Sequence, residues 1–425
     1  MRAVFAYLLI VGFVVASASA ADDPAPTTPA PPPALSKLWS VPINASLGND
    51  LGLGAAGTST VLVSKYDGWQ QTSATLTAFD ANTGAVKWTA SPAVPPQQPW
   101  WAEGPPNFAT STSFVAFVDS ANVLQLKHAD SGETAWMAPV PERINATELA
   151  LTPGESDASK VSVAVVTTAG LVVYRNAGIT SFTRATPSAP RPVISAYANA
   201  AIFGTQGDGG PDSVGRLVAV NLTSGEILWN TSAFSGPGTL SPKGDRVSVM
   251  HLGTAAVLDT TTGEQLACYG GTQYLAGPGA VGKGDNWFIE YLVMDGDSKA
   301  AFHRIQQETQ HERPPYRERT RRLRNAYPTV LLQMVGYGEG WSWETGGTLT
   351  GPGFDFEKGL IGVNPGGAFV LLDAATGGVR GEYRNMQDYG MPDHPVALSG
   401  RFFFTGGDHF SQALSLVAVE DPSPK

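Results

Sequence analysis

The sequence is poor in cysteine, in charge and in histidine, and each shortage removes a class of function. Of 425 residues one is cysteine, Cys268. A single thiol excludes an internal disulfide framework, a cysteine-built zinc site and a Cys-x-x-Cys-His haem attachment, so stability has to come from packing. Charged residues make up only 15%, too few for the Lys-, Glu- and Arg-rich faces of long amphipathic helices. The net charge of −10 argues against nucleic acid as a partner, because displacing counterions from phosphates takes a basic face. The six histidines are scattered, and no His-Glu-x-x-His, phosphate-binding P-loop or Gly-x-Ser-x-Gly string occurs, which leaves zinc hydrolase, nucleotide and esterase readings without a motif. Two Gly-x-Gly-x-x-Gly strings, Gly52–Gly57 and Gly277–Gly282, are present. Neither joins a buried strand to a helix as dinucleotide binding requires, and both are read as loop or bulge glycines.

Long apolar runs are missing beyond the first twenty residues. There Arg2 supplies a positive start, Val4 to Val15 an apolar stretch and Ala18-Ser19-Ala20 a small-x-small cleavage pattern, the layout of a signal peptide. Export to a secreted or extracytoplasmic location is expected, with no stable membrane span after cleavage; an uncleaved anchor is the alternative. Residues 21–35 hold Pro24, Pro26, Pro29, Pro31, Pro32 and Pro33 and read as an extended linker that buries nothing. The folded domain is expected over 36–425.

What the chain has in quantity is glycine (48) and proline (32) beside 42% hydrophobic residues, the mixture of many short strands joined by tight turns. An internal repeat gives this form. Leu76 to Trp88 and Leu217 to Trp229 both run an apolar strand into Asp80 or Asn221, then Gly84 or Gly225 four residues on, then Trp88 or Trp229 four further. Weaker copies place His128, Gly132 and Trp136; Asp259 and Gly263; and Asp373 and Gly377 on the same grid, with a degenerate copy around Gly178. An Asp or Asn ending a strand caps backbone N–H groups two or three residues ahead, and the glycine supplies the positive φ that reverses the chain. The tryptophan fits as packing between neighbouring sheets. These residues are thus structural.

The repeat glycines from Gly84 to Gly263 stand 48, 46, 47 and 38 positions apart, the length of a four-stranded propeller blade. The interval of 114 from Gly263 to Gly377 leaves room for two blades and an insertion. Leu414 to Glu420 resembles the strand before the turn, and Lys37 to Val41 the strand carrying the tryptophan. The expectation is an all-β propeller of eight four-stranded blades, seven being the alternative, closed by pairing of the N- and C-terminal strands, which hides sheet edges.

Ala78-Phe79-Asp80-Ala81-Asn82-Thr83-Gly84, ending on Trp88, resembles the repeat of quinoprotein-like propellers, those of the pyrroloquinoline-quinone (PQQ) type. The family includes quinone-dependent alcohol and sugar dehydrogenases as well as non-enzymatic members, so the resemblance implies the scaffold and leaves the activity open. Such alcohol dehydrogenases carry a vicinal disulfide, which one cysteine cannot form. Asp285, Asp295 and Asp297 are loosely grouped but read as solvated turns rather than a calcium site. No catalytic residue and no metal site is assigned, and the expected protein is a monomeric, secreted, non-enzymatic scaffold that binds a protein or glycan and needs no cofactor. The alternative is a dehydrogenase using PQQ and calcium.

Two further features concern partners and modification. Sequons stand at Asn44, Asn145, Asn221 and Asn230, with Asn221 doubling as a turn cap, which favours Asn44 and Asn145 as glycan acceptors. A basic insertion at about 303–327 holds Arg304, Arg313, Arg317, Arg319, Arg321, Arg322 and Arg324, seven of the 27 basic residues. It reads as a solvated loop between blades; a docking loop for an anionic partner and an error in the coding sequence are the alternatives.

Overall fold

The computed structural model describes residues 32–44, 51–67, 72–94, 108–140, 148–152, 154–167, 170–183, 194–197, 200–205, 216–232, 236–240, 245–251, 254–269, 286–294, 300–307, 330–335, 341–345, 350–355, 358–364, 368–384, 395–408 and 413–421. Among them there is no helix, and thirty-two strands form eight four-stranded sheets whose strands pair antiparallel. Seven sheets follow one another over 52–90, 109–139, 148–183, 194–232, 236–269, 286–345 and 350–383. The eighth combines 396–420 with Ser36–Asn44, which pairs with Ala413–Glu420 from Ser36↔Glu420 to Asn44↔Ala413. Both ends of the domain therefore share one sheet.

The first strands of the sheets lie side by side. They run from Thr350–Asp355 and Val396–Leu398 through Gly52–Ala56, Ala109–Thr110, Glu148–Leu151, Ile194–Tyr197 and Gly236–Leu240 to Asn286–Met294. This succession is the arrangement of a β-propeller. It dictates where the core sits, because each sheet between two neighbours buries both faces. Strand Phe114–Val118 is buried at all five positions: Val115 and Phe117 pack against Leu62, Leu76 and Ala78 of the first sheet, whereas Phe114, Ala116 and Val118 pack against Val163, Val165 and Tyr174 of the third. The same scheme joins the third sheet to the fourth, the fourth to the fifth, the seventh to the eighth and the eighth to the first. The fourth strands lie outermost and carry exposed apolar side chains; Val86 is 59% and Met137 55% exposed.

Three local readings change. Around Gly178 the hairpin is turned by Asn176 and Ala177, with φ of 48° and 64°, and Gly178 itself begins strand Gly178–Thr183. The third sheet thus has a two-residue turn in place of the repeat turn, a difference that glycine spacing alone does not register. At the other end of the domain, the Pro-rich segment is not wholly free of contacts. Ala34 bridges Glu382 in parallel, Leu35 N–H donates to Glu382 O at 2.9 Å, Glu382 N–H donates to Pro33 O at 2.9 Å, and the Leu35 side chain is buried over Gly381. Finally, Ala300–Gln307 pairs with Val330–Val335 inside the sixth sheet, with Arg304 opposite Leu331. The basic stretch accordingly belongs to a connection within one sheet rather than between two, and its first arginine lies on a strand. Residues 308–329 are outside the described residues.

Candidate functional site

Among the described residues, the repeat turns carry a recurring polar geometry. Asp80 Oδ1 accepts hydrogen bonds from Asn82 N (3.0 Å), Thr83 N (2.9 Å) and Thr83 Oγ1 (3.0 Å), while Gly84 N–H donates to Asp80 O at 2.8 Å. Asp259 and Asp373 repeat these contacts with Thr261 and Thr262, and with Ala375 and Thr376. Asn221 caps Thr223 N and Ser224 N through its amide oxygen. Gly84, Gly132, Gly225, Gly263 and Gly377 all have φ between 71° and 75°, where a Cβ is strained. Partial burial pushes the Asp80 pKa up, but the hydrogen bonds from Thr83 and Asn82 and the charge of Lys87 hold it below the usual carboxylate value.

Among the described residues, Trp39, Trp88 and Trp229 each lock their sheet to the turn of the next. Trp39 Nε1 donates to Ala81 O (3.1 Å), Trp88 Nε1 to Ala129 O (2.9 Å) and Trp229 Nε1 to Thr260 O (2.8 Å); the acceptor is always the residue after the cap position. The rings cover the turn glycines so closely that a Cβ on Gly84 would stand 2.9 Å from Trp39 Cδ2, and one on Gly263 2.7 Å from Trp229 Cδ2. The third sheet departs from the rule twice. Lacking a repeat turn, it receives Trp136 Nε1 on Ala158 O at 3.1 Å, beside a turn capped by Asp157. Lacking a tryptophan, it approaches the fourth sheet with Thr180 Oγ1, whose single proton lies between Val173 O of its own sheet at 3.2 Å and Leu222 O at 3.4 Å.

Acidic groups that the motif did not single out also tie sheets together. His128 occupies the cap position of the second sheet, and Asp130, two residues on, turns to the first sheet instead. It accepts from Thr60 Oγ1 (2.6 Å), Lys87 Nζ (2.9 Å), Ser59 Oγ (3.1 Å), Thr58 N and Thr58 Oγ1 (both 3.3 Å). Burial raises its pKa, but the Thr60 and Lys87 contacts outweigh that and hold it far below the usual carboxylate range. Asp355 is buried at the end of its strand and accepts from Lys358 N at 3.1 Å and, across to the eighth sheet, from Gly400 N at 2.6 Å. Arg401 Nη1 of the eighth sheet donates to Asn82 Oδ1 of the first. The sequence signal for Asp130 is its displacement: an acid two residues past a cap position that holds histidine.

The other sequence candidates are dispersed. Asn230 is exposed on strand Ile227–Ser232, Asn44 ends strand Ser36–Asn44, and Asn145 lies outside the described residues. So do Arg313, Arg317, Arg319, Arg321, Arg322 and Arg324, the acidic trio Asp285, Asp295 and Asp297, and Gly277–Gly282. In the other glycine string, Gly52 and Gly54 lie on strand Gly52–Ala56 and Gly57 turns into strand Thr60–Asp67. Among the described residues, no three His, Cys, Asp or Glu side chains converge as metal ligands, and no helix is long and apolar enough to cross a membrane.

Residues 36–267 match the family model of the outer membrane protein assembly factor BamB. No curated protein sequence matches the chain. Among solved structures, the quinohemoprotein alcohol dehydrogenase from Comamonas testosteroni is similar with 12% identity and a TM-score of 0.55, over 92% of this chain and 77% of that one. Quinohemoprotein alcohol dehydrogenase ADHIIG from Pseudomonas putida HK5 gives 14% identity and a TM-score of 0.51, again over 92% and 77%. The computationally designed Ika8 protein gives 14% and 0.52, over 90% of this chain and 99% of its own. At such identities the likeness is one of fold.

Proposed function

Since the chain belongs to the BamB-like family of propellers built from PQQ-type repeats, we propose that it is a non-enzymatic scaffold, secreted or otherwise extracytoplasmic, that binds a protein or glycan partner. The observation that carries this reading is how the carboxylates are employed. Asp80, Asp259 and Asp373 cap turns, whereas Asp130 and Asp355 bind the neighbouring sheet. A general base has to present a free lone pair to its substrate within hydrogen-bond reach; the fold takes up both oxygens of Asp130 and Asp355 and Oδ1 of Asp80, Asp259 and Asp373.

Nor do these residues fit pyrroloquinoline quinone as the related dehydrogenases hold it. A calcium beside the quinone asks for converging oxygen ligands, which the five carboxylates, spread over four sheets, do not supply. Cys268, on strand Gln265–Tyr269, has no second cysteine in the chain with which to form a vicinal disulfide. The test is dye reduction by the purified protein with added PQQ and calcium over a panel of alcohols and sugars. Rates equal to the protein-free control are expected, and turnover that saturates with substrate would overturn the proposal.

A further inference from the structure

We infer that Asn230 is an N-glycosylation site, that Asn221 is not, and that the glycan shields the outer edge of the fourth sheet. Both asparagines begin Asn-x-Ser/Thr sequons nine residues apart, yet the fold uses them differently. Asn221 is half-buried, and its amide oxygen is fixed by Thr223 N at 2.8 Å and Ser224 N at 3.0 Å. It does the work that Asp80, Asp259 and Asp373 do in their sheets, so Asn221-Leu222-Thr223 is a turn whose sequon is incidental.

Asn230 has no such task. It stands on Ile227–Ser232, the terminal strand of its sheet, and its neighbour Trp229 is the residue that turns inward to Thr260. Strand alternation therefore directs Asn230 away from the fifth-sheet contact. The residue is exposed, and its side chain makes no hydrogen bond among the described residues. A bulky solubilising group fits there without displacing packed atoms.

The strand also has something to shield. Ile227 is 52% and Leu228 46% exposed, two adjacent aliphatics on an outermost strand. Such an edge invites pairing with a second copy, and folds blunt it with charge, proline or a cover. Leu228, two residues before Asn230, is the extra residue of a β-bulge, between Ile227 opposite Val220 and Trp229 opposite Ala219. A glycan on Asn230 obstructs approach to the backbone edge.

The chemistry is transfer from a polyprenyl-diphosphate-linked oligosaccharide. Asn230 Nδ2 forms the bond to the sugar C1, the bond from C1 to the phosphate oxygen breaks, the carrier diphosphate leaves with that electron pair, and the amide proton passes to a base of the transferase.

The test is expression of the full chain in a eukaryotic secretory host, with peptide mapping after amidase release of glycans in heavy-oxygen water, which marks each formerly glycosylated Asn. A mark on Asn230 and none on Asn221 is expected. Asn230→Gln and Ser232→Ala should each remove the same glycan mass, while Asn221→Asp, which retains the capping oxygen, should leave the mass unchanged apart from the substitution. Static light scattering should show more self-association for Asn230→Gln than for the glycosylated protein at equal concentration. An unmarked Asn230, in medium or in cells, or a marked Asn221, overturns the site assignment. Equal self-association overturns the shielding role.

Discussion

Replacing Gly132 by alanine tests the lock between sheets directly, because the structure supplies its own control. Gly132 has φ 72° and a Cβ placed on it would stand 2.5 Å from Trp88 Cδ1. Gly359 has φ 64° and nothing within 4 Å of its would-be Cβ. Both alanine variants carry the left-handed backbone strain of about 1–2 kcal/mol. Only Gly132→Ala adds the overpacking of a full-sized ring against a methyl, about 1–3 kcal/mol, so the expected losses are about 2–5 kcal/mol at Gly132 and about 1–2 at Gly359. Trp88→Ala costs about 3–5 kcal/mol on its own; in that background the clash is gone and Gly132→Ala should cost only its backbone part. Urea unfolding followed by tryptophan fluorescence and far-ultraviolet dichroism gives the four stabilities of the cycle, with the coupling energy as the readout. Equal losses for Gly132→Ala and Gly359→Ala, or additive effects of Trp88→Ala and Gly132→Ala, would refute the claim that the indole seats on the turn glycine.

Three further outcomes follow from the same geometry. Asp130→Ala should destabilise by about 1–2 kcal/mol at neutral pH, the worth of a charge-assisted hydrogen-bond cluster reduced for its partial exposure. The folded-state pKa of Asp130 is depressed, so this contribution is complete above the unfolded value near 4 and fades as pH falls below it; the gap between variant and parent in acid titrations of stability should narrow in that direction. Tyr174 is fully buried, its hydroxyl 3.5 Å from Pro139 O, and burial raises its pKa to about 12. A raised folded pKa means that stability is retained below pH ~10 and lost as pH rises from there toward the folded value, so Tyr174→Phe should lose less stability than the parent over that window in alkaline thermal melts. Should the basic stretch dock an anionic polysaccharide, exchanging Arg313, Arg317, Arg319, Arg321, Arg322 and Arg324 for glutamine should abolish salt-sensitive retention on a sulfated-polysaccharide column and leave the melting temperature unchanged.

The elements legible in the sequence are those whose partners lie nearby along the chain. Asp80, Thr83 and Gly84 form one turn within five residues, and their pattern recurs at Asn221, Asp259 and Asp373 because the first, fourth, fifth and seventh sheets solve the same local problem. The tryptophans were legible as packing residues, but their acceptors, 42 and 41 positions away for Trp39 and Trp88, follow only once the sheets are set side by side. Asp130 was invisible as a tie because all its partners lie 43 to 72 positions earlier. Thr180 stands in for a tryptophan with a single hydroxyl, which no spacing rule distinguishes from a surface threonine. The Pro33–Leu35 contact likewise depends on where the outer edge of the seventh sheet falls. No functional site emerged from the motif for the reason that the motif is spent on the scaffold.

Calorimetric titration of the purified protein with PQQ in the presence of calcium, with dye reduction followed on the same sample, bears most directly on the central claim. A non-enzymatic scaffold predicts no saturable heat and no turnover on any alcohol or sugar offered; saturable binding accompanied by substrate-dependent reduction of the dye would contradict it.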